Sequence, residues 1–89
     1  MRRAPPTCKQ VKAALKSLGF EKVKPRKGTS HEKFRHPEFR KEKRNVTVDC
    51  PKAPFRPELI ISMARQAGLK KNEFWDLCLG RIKPEDIHD

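Results

Sequence analysis

The residues best suited to chemistry in this chain fall between Lys24 and Arg35. His31 follows directly on Gly28-Thr29-Ser30, with Lys27 ahead of that segment and Lys33 and Arg35 at alternate positions after it. An imidazole takes or gives a proton near neutral pH, and fixed cations around it hold a phosphate and stabilise the charge that grows on its oxygens. A glycine at the turn lets backbone N–H groups approach the same anion. These residue types suit cleavage of an RNA phosphodiester by attack of the 2′-hydroxyl. His31 would be the acid-base group, Lys24, Lys27, Lys33 and Arg35 the phosphate holders, and Gly28, Thr29 and Ser30 the turn. Asp49 and Glu32 are the remaining candidates for a second acid or base, although Glu32 has the opposite strand parity to His31.

Rival readings of single residues carry less. Ser30 is a possible nucleophile, but no Ser-His-Asp order with strand-turn-helix context accompanies it. His36 precedes Pro37 with core-facing parity and reads as structural, while His88 lies in the terminal tail. Phe74 and Trp75 have the ring faces for base stacking, yet their helical spacing places them in the core. Cys8, Cys50 and Cys78 are odd in number and include no C-x-x-C pair, so we expect them reduced and mostly buried. A composite metal site of Cys50, Cys78 and His36 has no support in the spacing. No metal and no cofactor are expected.

At 89 residues the chain is one small domain with a modest core. Its 22 Lys and Arg against 11 Asp and Glu leave a net charge of +11, with a pI near 10.1 and a mean hydropathy of -0.89. Such an excess points to a polyanion, nucleic acid above all. It is also lopsided: residues 1–50 hold 15 basic and 5 acidic side chains, residues 51–89 only 7 and 6. No apolar run reaches the roughly 20 residues of a membrane span, and Met1-Arg-Arg-Ala-Pro-Pro lacks a signal peptide's apolar stretch. A cytoplasmic protein without a membrane partner is expected.

Several elements must position these residues. Residues 1–6 read as a flexible lead. Thr7 caps a helix with Val11, Ala14, Leu15 and Leu18 on one face, ended by Gly19. Phe20–Arg26 reads as a strand with Lys22, Lys24 and Arg26 facing solvent, followed by a turn at Lys27–Ser30. His31–His36 is a second strand closed by Pro37, Glu38–Arg44 a charged loop, and Asn45–Cys50 a third strand of strict alternation. Pro57 opens a second helix that runs to about Ala67 and stops at Gly68. Asn72 caps a short third helix carrying Phe74, Leu77 and Cys78, and the remainder frays. The predicted fold is α+β: two layers in α-β-β-β-α order, a three-stranded antiparallel sheet with helices on one face, and a short extra C-terminal helix. Residues 7–69 form the domain and 70–89 an extension. On the sheet's open face strand two would place His31, Lys33 and Arg35, and strand three Asn45, Thr47 and Asp49.

The stretch Gly28-Thr29-Ser30-His31-Glu32-Lys33-Phe34-Arg35-His36-Pro37, then Asn45-Val46-Thr47-Val48 and Arg65-Gln66-Ala67-Gly68-Leu69, resembles the HicA toxins over roughly Gln10 to Leu69. The family's usual Gly-Ser-His-His or Gly-Ser-Asn-His stands here as Gly-Thr-Ser-His. The resemblance implies a double-stranded-RNA-binding-domain-like fold and a metal-independent messenger-RNA interferase of a type II toxin-antitoxin system, with the catalytic histidine at His31. It also implies a HicB antitoxin as partner, with DNA contacted only indirectly, through the toxin-antitoxin complex. A second reading from the residues alone is a non-catalytic RNA-binding module that uses the same basic face. A third is a positive surface matched to an acidic protein.

Overall fold

In the computed structural model, which describes residues 4–23 and 31–87 and His31 by its backbone alone, Thr7 caps the first helix. Its hydroxyl accepts from the Gln10 N–H at 3.2 Å, and Gln10 Oε1 accepts from the Thr7 N–H at 2.9 Å. This reciprocal box satisfies two of the N–H groups that a helix start leaves without partners. Helix α1 (Cys8–Ser17) buries Val11, Ala14 and Leu15, and Gly19, at φ +96°, turns the chain into the sheet. Strands β1 (Glu21–Val23), β2 (His31–Phe39) and β3 (Glu42–Asp49) form an antiparallel sheet in the order β1-β2-β3. A 3-10 turn at Cys50–Lys52 leads to α2 (Pro57–Ala67), then α3 (Lys71–Cys78) and a second 3-10 turn at Pro84–Asp86. The predicted α+β order is the observed one.

Phe34, Val46 and Val48 lie on one face of the sheet and are fully buried. Across the ladder Phe34 pairs with Val46 and Glu32 with Val48, so these residues share a face, against which α1 and α2 pack. Helix α3 packs on α1 and α2. Lys33, Arg35 and Asn45, of opposite parity, are exposed. The outward edge of β3 is covered at one point: the Thr47 N–H donates to Gln66 Oε1 of α2 at 2.9 Å.

Several expectations need correction. Strand β2 does not stop at Pro37 but runs to Phe39, and Glu38–Arg44 is the tip of a hairpin rather than a loop. The ladder shifts register between His36 and Phe39, and at such an irregularity a proline's missing N–H is tolerated. Arg40 and Lys41 then take φ values of +51° and +69°, the two left-handed residues of a tight hairpin turn. Cys8 and Cys50 are not separate thiols in the structure: a disulfide pairs the first residue of α1 with the residue after β3, the Cα atoms 5.2 Å apart. The two cysteines stand 42 positions apart, so only the packed fold reveals the pair. Residues 4–6, read as part of a flexible lead, are docked: Pro6 is buried, its carbonyl accepts from the Phe55 N–H at 3.3 Å, and the Ala4 carbonyl accepts from the Trp75 indole at 2.9 Å.

The C-terminal extension is part of the core. Phe74, Trp75, Leu77 and Cys78 are buried, and so is Ile87 beyond the second 3-10 turn, where fraying was expected. Two arginines of the hairpin hold the α2–α3 junction. Gly68 ends α2 at φ +79°; Arg40 Nη1 donates to its carbonyl at 3.0 Å and clasps Glu73 of α3 with two bonds of 3.1 Å. Arg44 lies over Gly68 so closely that a Cβ there would stand 2.6 Å from its Cζ. Because Phe74 is fully buried against α1 and α2, Phe74→Ala should cost about 3–5 kcal/mol in a urea melt, the range for a deleted core aromatic.

Candidate nucleic-acid interface

The open face of the sheet is built from three rungs. Glu21, Arg35 and Asn45 form one; Val23, Lys33 and Thr47 form the next; His31 pairs with Asp49 at the end. Position 31 therefore has the face parity of Lys33 and Arg35, at strand spacings of about 6.6 Å per two residues. Lys33 and Arg35 extend into solvent from a central strand whose backbone is fixed on both sides by neighbours. At the His31 end, the Lys52 ammonium lies 3.8 Å from the Asp49 carboxylate. At the other end Glu21, Arg35, His36, Pro37, Lys43 and Asn45 line a depression of about 510 Å³. Lys43 is a cation that reasoning from the sequence missed. The signal was present, since the alternation read for Asn45–Cys50 continues back through Arg44 and Lys43.

Lys22 is not on this face. It stands opposite Phe34 in the β1–β2 register, and its ammonium contacts Glu32 Oε1 at 2.6 Å on the helix side of the sheet. Phe20, two positions earlier and buried, shares its parity and gave the sign that the assignment overlooked. A lysine tolerates that side at a sheet edge because its long stem carries the charge out to a partner. Lys24, Arg26, Lys27, Gly28, Thr29 and Ser30 lie outside the described residues.

Glu32 is a structural anion. Lys22 and Lys12 both pair with it, Lys12 Nζ lying 3.3 Å from Oε2, so α1 and β1 are tied to β2 next to His31. The hydrogen bond from Lys22, helped by Lys12, holds this carboxyl below its ordinary 4.5 against the opposing effect of partial burial. It is thereby kept ionised, and its parity turns it away from the open face. His36 is structural as expected: its ring packs on Phe20 and Phe39, centroids 5.2 and 5.5 Å away, and Nδ1 accepts from the Glu38 N–H at 3.0 Å. Trp75 belongs to the core.

The composite site of Cys50, Cys78 and His36 does not form. Cys50 and His36 sit toward opposite ends of the sheet, and Cys78 is buried in α3, where desolvation pushes its thiol up to about 12. Among the described residues, the donor atoms of Cys8, Glu32 and Cys50 do converge, all within 4.8 Å of one another. With the sulfurs bonded to each other and the carboxylate held by two ammonium groups, that cluster offers no open ligand set.

Glu73, like Glu32, is held below its ordinary 4.5, first by its hydrogen bonds from Arg40. An unfolded chain binds protons at these groups before the folded one does, so the stability they contribute is present above pH 4.5 and lost as pH falls below it. Urea melts from about pH 6 to about pH 3 should show that decline, and Glu32→Gln should flatten part of it.

A model of the HicA toxin of bacterial toxin-antitoxin systems matches residues 8–69, which is most of the chain and spans α1 to the end of α2. No curated protein and no solved structure matches. The helix-sheet-helix order, the basic open face and this match agree, and the chain belongs to the HicA family of toxins.

Proposed function

We propose that this protein is a metal-independent messenger-RNA endonuclease that arrests translation in the cytoplasm, with His31 as its acid-base residue. The observation that carries the reading is the β2 register, which gives position 31 the parity of exposed Lys33 and Arg35 within a family of toxins. Lys33 and Arg35 hold the scissile and neighbouring phosphates; further phosphate contacts are assigned, from the sequence alone, to Lys24, Lys27 and Gly28 to Ser30. His31 takes the 2′-hydroxyl proton, the freed oxygen attacks the adjacent phosphorus, and the 5′-oxygen of the next nucleotide leaves as the imidazolium returns that proton to it. The products are a 2′,3′-cyclic phosphate and a 5′-hydroxyl. Cations beside the phosphate stabilise the charge that peaks in the transition state, where fixed charge is worth most. To Asp49, the ladder partner of position 31, we assign the orienting of the imidazolium. A HicB antitoxin silences the toxin by covering this face, and contact with DNA arises only through that complex.

Incubation with a long single-stranded RNA in excess chelator tests the reading. Wild type should cut, and His31→Ala should lose about 10²–10⁴-fold in rate while remaining folded and still binding RNA. If neither protein cuts and both bind equally, the chain is a non-catalytic RNA-binding module. Lys33→Ala and Arg35→Ala should each weaken RNA binding and lower the slope of log affinity against log salt by about 0.7, the counterion released per contact with a single strand.

A further inference from the structure

We propose that Cys8 and Cys50 form a redox-controlled clamp on the end of the sheet that carries His31, and that closing the disulfide raises RNA cleavage. The inference rests on the reading of His31 given above. Cys50 follows Asp49, the ladder partner of His31, and Cys8 is the first residue of α1, so the bond ties a helix terminus to the last residue pair of the β2–β3 ladder. Strand ends are where ladders open first. Glu32, adjacent to His31, is tied from the same side by Lys12 of α1 and Lys22 of β1. With the disulfide closed, a covalent bond holds the Asp49 end of β3, the ladder partner of position 31, to α1; with it open, that end is held by the weaker Pro6–Phe55 hydrogen bond and the Cys50–Glu32 contact.

Both redox states are accommodated. Cys50 Sγ lies 2.9 Å from Glu32 Oε2. A disulfide sulfur has no proton to donate, so this contact becomes a hydrogen bond only on reduction, when the thiol finds its acceptor in place. The Cα separation of 5.2 Å lies within the range spanned by disulfides. The corner has a hold besides the sulfurs: Pro6 and Phe55 are buried, and the Phe55 N–H donates to the Pro6 carbonyl at 3.3 Å. Cys8 and Cys50 are partly exposed residues, whereas Cys78 is buried. Disulfides of proteins in reducing compartments are mostly of this sensing or catalytic kind.

Glutathione disulfide is a sufficient oxidant. One cysteine thiolate attacks it and releases glutathione; the second then attacks the protein sulfur of the mixed disulfide and releases another. Two electrons pass to glutathione, and the two thiol protons are taken up by the two departing glutathione thiolates.

The test uses the full chain equilibrated with glutathione or its disulfide, with three readouts: thiol trapping by mass, amide exchange, and cleavage of single-stranded RNA. We expect the oxidised form to lose two trappable thiols at Cys8 and Cys50, to exchange more slowly at Glu32–Phe34 and Val46–Asp49, and to cleave several-fold faster. Cys8→Ser should remove all three differences, and Cys78→Ser should keep them. Equal exchange at that strand end in the two forms overturns the clamp, whatever happens to RNA. Slower exchange with equal, measurable cleavage overturns its control of activity. Slower exchange with no cleavage by either form upholds the clamp and sinks the nuclease reading instead. A reduced protein that binds zinc through Cys8, Glu32 and Cys50 and resists oxidation overturns the proposal in favour of a metal site.

Discussion

Burial of Phe34 between the sheet and the helices decides what β2 shows to solvent. A strand alternates faces without exception unless it bulges, so one aromatic driven into the core commits every second neighbour to water. Here those neighbours are cations. A one-residue slip would bury Lys33 and Arg35 and expose Phe34, a change that a small core could not survive. The same hydrophobic contact that stabilises the domain therefore lays out the face read as its RNA surface, and the pairing of Phe34 with Val46 passes the constraint on to β3.

Charge on the helix side is handled differently. The side chains that turn that way at the margins of the sheet are paired: Lys12 and Lys22 converge on Glu32, and Arg44 reaches Glu42 at 3.0 Å and the Phe39 carbonyl at 2.9 Å. Arg40 joins the hairpin to α2 and α3 at once. These pairs do structural work, whereas the open face keeps Lys33 and Arg35 in solvent. Among the described residues, cations thus divide between those that brace the fold and those exposed on the open face.

Local signals in the sequence were dependable at several positions, though not at Asn72, which lies inside α3 while Lys70 caps it. Thr7 as a cap, Pro57 as a helix opener, Gly68 as a left-handed stop and the alternation of Val46 and Val48 were all legible. What was hidden depended on contacts between distant segments or on turns with unusual residues. The hairpin tip carries Arg40-Lys41 where Asn-Gly would have announced it, and Pro37 sits at a register shift that does not end the strand. Lys22 looked solvent-facing because its charge outweighed its parity with Phe20. The Cys8–Cys50 pair has no local signature at all. For the candidate site, Lys33 and Arg35 were placed on the correct face from parity alone, and Lys43 was lost with the misread loop.

The chain has one tryptophan, and its indole is bonded to the Ala4 carbonyl. Trp75 stands on α3, beyond the segment that matches the HicA family, so one ring joins the beginning of the described chain to its C-terminal extension. Its surroundings change if either end lifts away. The protein thus contains a built-in fluorophore at the seam between its two ends, whose emission reports their docking without any label.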